Sequence, residues 1–193
     1  ADETMAALIH SIGPYEGGLR PADSPFEALC EAVAYQQLSG KAAATIYGRF
    51  RSLTDESRPL DPLLVSKLSE EQLRGCGLSR AKSAAIQDLS AKTLEGVVPG
   101  HVSLAPLSDQ DIIDRLISVR GIGPWSVKMY LMFRLGRPDV LPQTDLGIRK
   151  GVMRTYGLPR MPTPEQVIDL AEDWRPFRTL ASWYLWRSLE LDQ

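Results

Sequence analysis

Apolar residues recur along this chain at intervals of three and four, the spacing that lines one face of a helix, and almost nowhere at intervals of two. Phe26, Leu29, Cys30, Val33 and Ala34 form one such stripe behind Ser24-Pro25-Phe26-Glu27, which reads as a capping box with proline at the first helical position. It predicts a helix to about Gln37. A second stripe, Ala43, Ile46, Tyr47 and Phe50, predicts a helix over 42–53, and Ser69-Glu70-Glu71-Gln72 opens a third that Gly75 or Gly77 should stop. Further helices are expected over 79–94, 109–118, 125–135 and 146–156, another behind the capping box Thr163-Pro164-Glu165-Gln166, and a last over 176–189. A strand-like pair near Val97-Val98 is the exception, so the pattern as a whole predicts an all-α architecture. The proline-rich turns at 137–143 and 157–164 punctuate helices without dividing domains, and no internal repeat or low-complexity tract is visible.

Composition narrows the classes. The chain has 193 residues, 44% of them hydrophobic, enough to bury a core as one compact unit or two small lobes, and no apolar run approaches the roughly eighteen residues a membrane span needs. The expectation is a soluble protein. No basic segment followed by an apolar stretch marks a secretory signal, and Cys30 and Cys76 sit too far apart for a metal knuckle, so a reduced, cytoplasmic setting is expected. A net charge of -2 at first argues against a nucleic-acid partner, but residues 115–154 hold eight basic side chains against Asp139 and Asp145, a local charge of +6. A solvated helical surface would also account for such a cluster.

That basic stretch contains Val119-Arg120-Gly121-Ile122-Gly123-Pro124-Trp125. Leu116, Ile117 and Val119 close one helix, Gly121 and Gly123 allow torsions closed to residues with a Cβ, and Pro124 suits the first turn of the next helix. A helix N-terminus among small residues attracts phosphate by partial charge and close approach, without reading sequence. Gly-Ile-Gly alone equally describes an ordinary helix-helix turn. Asp145 follows twenty residues behind Trp125, in Leu141-Pro142-Gln143-Thr144-Asp145-Leu146.

Together with Phe26-Glu27, Gln36-Gln37-Leu38-Ser39, Asp145-Leu146-Gly147-Ile148-Arg149-Lys150 and Trp174-Arg175-Pro176-Phe177-Arg178, this segment resembles the helix-hairpin-helix DNA glycosylases, within them the bacterial 3-methyladenine DNA glycosylase II group. The resemblance runs from about 24 to 190. It implies a two-lobed helical fold with the active-site cleft between lobes. The central lobe is placed at 26–137 with the hairpin over about 112–136, and the second lobe at 1–25 plus 138–193. The longer enterobacterial relative carries an N-terminal β-rich domain for which this chain has no room, so pocket walls supplied from there would be missing or replaced.

The resemblance also assigns roles. Asp145 matches the catalytic aspartate, where a carboxylate can stabilise an oxocarbenium-like sugar or activate water; an aspartate before Leu146-Gly147-Ile148 equally suits a helix N-cap, and the two readings are compatible. One acid suffices if the leaving base is already cationic, as an alkylated purine is, and His10 and His101, in other segments, read as surface or core residues. Trp125 stands where relatives that also cut the backbone have the lysine that forms a Schiff base, which implies a monofunctional hydrolase leaving an abasic site. Leu38 matches the wedge that fills the space of an extruded base, with Gln37 beside it, although a buried leucine at a helix end is the plain alternative. Trp186 matches an aromatic that stacks on that base by cation-π attraction, while Trp183, Tyr184 and Trp186 crowd one helix and some must pack the core. Trp125, Met129 and Tyr130 complete the expected base pocket; Met129 departs from the tyrosine of the enterobacterial relative, which puts the pocket's width in question.

Phosphate contacts are expected from Gly121, Gly123, Trp125, Ser126 and Lys128, and a structural Na⁺ or K⁺ on the main-chain carbonyls of Ile117, Val119 and Ile122. Neither a catalytic cofactor nor an iron-sulfur cluster is expected, since the four C-terminal cysteines of some relatives are absent. The partner implied is double-stranded DNA containing alkylated bases, with no membrane, bound by a monomer. Two alternatives stand: a glycosylase for oxidised, deaminated or mismatched bases on the same fold, and a non-catalytic hairpin DNA-binding module.

Overall fold

The computed structural model describes residues 2–18 and 24–191, and the described residues form helices and turns with no strand. The chain divides into two compact units, Pro21–Tyr130 in one and Ala1–Arg20 with Leu131–Gln193 in the other.

The first unit holds α2 (Pro25–Tyr35), α3 (Gly40–Arg51), α4 (Pro62–Ser66), α5 (Glu70–Gly75), α6 (Arg80–Leu94), α7 (His101–Leu104), α8 (Asp109–Leu116) and the start of α9 (Pro124–Phe133). Phe26, Leu29, Phe50, Leu73, Ile86, Leu89, Leu104, Ile112 and Leu116 are fully buried there; each such side chain contributes about 1.5–3 kcal/mol by leaving water. The second unit holds α1 (Glu3–Ile12), the rest of α9, α10 (Leu146–Thr155), α11 (Pro164–Ala171), a 3-10 turn at Glu172–Trp174 and α12 (Arg178–Ser188). Its core joins Met5, Leu8, Leu141, Ile148, Val152, Val167, Trp174, Tyr184 and Leu185. No helix among the described residues is long and apolar enough to cross a membrane.

Several expectations need correction. The pair at Val97-Val98 is no strand: Gly96 turns left-handed at φ 79° and both valine amides donate back to the Lys92 carbonyl, closing the end of α6, while Val98 buries its side chain. The capping box at Ser24 is half made. Ser24 accepts the Glu27 amide, but the Glu27 carboxylate reaches the Leu60 amide and Arg51, whereas the boxes at Ser69 and Thr163 are closed in both directions. Helix α2 stops at Tyr35, two residues early, because Gln37 takes a left-handed φ of 56°. The last helix starts at Arg178 instead of Pro176, the Phe177 amide being taken by the Trp174 carbonyl at 2.8 Å. Helices α1, α4 and α7 were not foreseen; the latter two have five and four residues, too short for periodicity to register.

Candidate functional site

Asp145 sits at the N-cap of α10, where its Oδ1 accepts the Ile148 amide at 2.9 Å. The indole N–H of Trp186, from α12, donates to the same oxygen at 2.9 Å. Two donors from two helices therefore bear on the carboxylate's orientation. Trp186 reaches it because α10 presents glycine where α12 crosses. A Cβ on Gly147 would stand 2.7 Å from Trp186 Cδ1, and one on Gly151 would stand 2.5 Å from the Leu185 carbonyl oxygen. Glycine at both positions of one helix turn costs helix propensity, and the close approach explains the cost. The ring of Phe133 lies 6.0 Å from Trp186, tilted by 36°.

The segment leading to Asp145 is itself fastened to α12. The Asp139 carboxylate takes a two-pronged contact from Arg178, Nε at 2.7 Å and Nη2 at 3.0 Å, and a third from Arg175 at 2.8 Å. Thr179 donates its amide to the Pro138 carbonyl and its hydroxyl to the Arg137 carbonyl, and accepts the Val140 amide. Burial pushes the Asp139 carboxyl up, but the hydrogen bond and charge of Arg178 with the charge of Arg175 outweigh it and hold the group below its ordinary value. Bidentate arginine-carboxylate pairs are the directional kind, so this one fixes where the chain turns toward Asp145. Asp2, which caps α1, also receives the Tyr156 hydroxyl and the Trp174 indole N–H.

In the other unit, the hairpin between α8 and α9 turns at Gly121, with φ 74°; a Cβ there would also stand 3.0 Å from that of Ala85. Gly123, by contrast, has no such φ, and a Cβ on it would meet nothing within 4 Å, so torsion is not what requires glycine there. One face of α6 holds the hairpin. Asp88 accepts the Arg120 amide at 2.7 Å, and Lys92 pairs with Asp88 and donates to the Ser118 carbonyl. Higher on the same helix, Lys82 donates to the carbonyls of Ala34 and Gln36, each at 2.8 Å.

On α9 the expected residues separate by face. Trp125 is exposed and Lys128 and Met129 are half-buried, but Ser126 and Tyr130 point inward at 5% and 3% exposure, the Tyr130 hydroxyl lying 3.1 Å from His101 Nδ1. Ser126 and Tyr130 thus present little of their surface, unlike Trp125 on the same helix. After α2, Gln37 and Leu38 are exposed, so the reading of Leu38 as a core residue fails. Of the three hairpin carbonyls assigned to a monovalent ion, that of Val119 already accepts the Ile122 amide at 3.1 Å. Among the described residues no group of three or more His, Cys, Asp or Glu side chains comes together.

Sequence reasoning missed the Trp186 bond to Asp145 and the polar face of α6. Gly147 and Gly151, four apart inside a helix, were the available signal for the first.

The chain belongs to the HhH-GPD superfamily of base excision DNA repair proteins, whose family model matches residues 30–176. It is 37% identical over 195 residues to DNA-3-methyladenine glycosylase 1 of Schizosaccharomyces pombe, covering 98% of this chain and 84% of that protein. Among solved structures, the Schizosaccharomyces pombe 3-methyladenine DNA glycosylase in complex with abasic DNA matches with a TM-score of 0.90 over 98% of this chain and 93% of that one, at 37% identity. The DNA-3-methyladenine glycosidase of Bacillus halodurans matches with a TM-score of 0.86 at 31% identity, over 97% of this chain and 84% of that one.

Proposed function

We propose that this chain is a monofunctional DNA-3-methyladenine glycosylase of the type II group, hydrolysing the N-glycosidic bond of alkylated purines in duplex DNA. The observation that carries this reading is the Asp145 carboxylate held by the Ile148 amide and the Trp186 indole at 2.9 Å each. As the bond between C1′ and the purine nitrogen lengthens, its electron pair leaves with a base that is already cationic, and positive charge gathers on the sugar. A fixed carboxylate stabilises that charge without reorganising and accepts the proton of the attacking water. With its N–H spent on Asp145, the Trp186 indole has only its π face to offer a cationic purine, which selects charge.

Phosphate would be held by Gly121, Gly123, Trp125 and Lys128; the open space beyond Gly123 suits a close backbone approach. A Na⁺ or K⁺ at the hairpin would use the carbonyls of Ile117, Val119 and Ile122, hard oxygen donors of the kind alkali ions prefer, and would link strand to turn. Leu38 is the wedge. The enzyme acts as a cytoplasmic monomer.

The test is release of methylated purines from alkylated duplex DNA by the native chain and by Asp145→Asn, which keeps the cap and the shape. Loss of about a hundredfold or more in the variant is expected. Release of only oxidised or deaminated bases would reassign the substrate, and no release at all would leave a DNA-binding module. Borohydride should trap no covalent adduct, since Trp125 has no amine.

A further inference from the structure

Three observations converge on the turn after α2. Gln37 is the sole non-glycine among the described residues at positive φ, 56°, a conformation that disfavours an L side chain and persists only where surroundings impose it. The imposing groups come from outside the turn. Lys82, on α6, places its ammonium 2.8 Å from the carbonyls of both Ala34 and Gln36, taking two of the acceptors that the end of α2 leaves without helical partners. The Gln36 side-chain amide donates to the Gly121 carbonyl at 3.0 Å, 85 residues away in the hairpin. Beyond these two ties stands Leu38, an apolar side chain 42% exposed.

We propose that Lys82, together with Gln36, is the positioning device of the wedge: it locks the left-handed turn at Gln37 and couples Leu38 to the hairpin, so that strand grip and base extrusion act as one rigid unit. The inference rests on the reading of Leu38 as the wedge. A lysine serves because its three donors can divide between two carbonyls. Burial depresses its amine below the ordinary lysine value, the sense expected of an ammonium taken partly out of water to serve neutral carbonyls. The same face of α6 continues through Ala85, which limits Gly121 by contact, to Asp88 and Lys92, which hold the Arg120 amide and the Ser118 carbonyl. One helix therefore registers both DNA-contacting turns.

The experiment is a double-mutant cycle of Lys82→Met and Leu38→Ala on duplex DNA carrying an alkylated purine, with 2-aminopurine beside the lesion to report unstacking. Lys82→Met should lower kcat/KM about tenfold, the scale of a lost charged hydrogen bond, and abolish the fluorescence rise. Combined with Leu38→Ala it should add little further loss, because both act on one step. Lys82→Arg, which restores donors to both carbonyls, should recover most of the activity and the fluorescence. Native activity in Lys82→Met, or losses that multiply with those of Leu38→Ala, would overturn the proposal while leaving the wedge intact. A harmless Leu38→Ala would instead remove the wedge reading and this inference with it. Should Lys82→Met fail to fold, Gln36→Leu takes its place in the cycle with the same expected coupling.

Discussion

At the scale of the residue, the setting of the Asp145 carboxylate depends on two glycines. Gly147 and Gly151 lie on the face of α10 that meets α12, but a Cβ on each would strike something different. On Gly147 it would meet Trp186 Cδ1 and Nε1 at 2.7 and 2.9 Å and Asp145 Oδ1 at 3.0 Å; on Gly151, the backbone of Leu185. Gly147→Ala should therefore displace the indole from Asp145 and cut kcat by about tenfold, the loss of one hydrogen bond to a charged group, with a small effect on melting. Gly151→Ala should cost stability first, about 1–3 kcal/mol of overpacking against a main chain that cannot swing aside. Parallel measurement of kcat and Tm separates the two. The sequence did mark Asp145, as a cap and, by resemblance, as a catalyst, two compatible readings. The structure makes Asp145 a cap, and capping serves the proposed chemistry because it points the oxygen.

Elements show what periodicity can and cannot carry. Nine of the helices were foreseen to within about two residues, most because they bury a stripe repeated over enough turns to be read, α5 and α11 because a capping box opens them. The polar face of α6 was invisible. Lys82, Asp88 and Lys92 look like ordinary surface charge until their partners at 34, 36, 118 and 120 are brought beside them. Asp139 is similar: in the sequence it only offset the basic stretch, whereas in the fold it ties the approach to Asp145 onto the start of α12. Its native value lies below the ordinary one, so protonation favours the unfolded chain; the stabilisation is present above the unfolded carboxyl value near 4 and is lost as pH falls through the native value. Melting temperature followed from about pH 5 down to pH 3 should fall more steeply for the native protein than for Asp139→Asn, which lacks that group. Parallel slopes would show that the Arg178 fork contributes nothing to folding.

For the whole molecule, a net charge of -2 conceals the +6 of residues 115–154. Binding to duplex DNA should weaken steeply with salt, and each phosphate contact removed should lower the slope of log K against log salt by about 0.9. Arg120→Ala with Lys128→Ala is expected to reduce it by about two such steps, measured by anisotropy across a salt series; an unchanged slope would take these side chains off the phosphates. The chain's own sequence determined the helical class, the hairpin and most of the helix caps, Asp145 among them, because stripes, glycines and capping residues act over a few positions and leave a local trace. Only the tertiary structure decided that Trp186 touches Asp145, that Tyr130 and Ser126 face inward, and that Lys82 reaches the carbonyls of Ala34 and Gln36. Those relations join residues separated by tens of positions, and a hydrogen bond across such a gap leaves no spacing for a sequence to record.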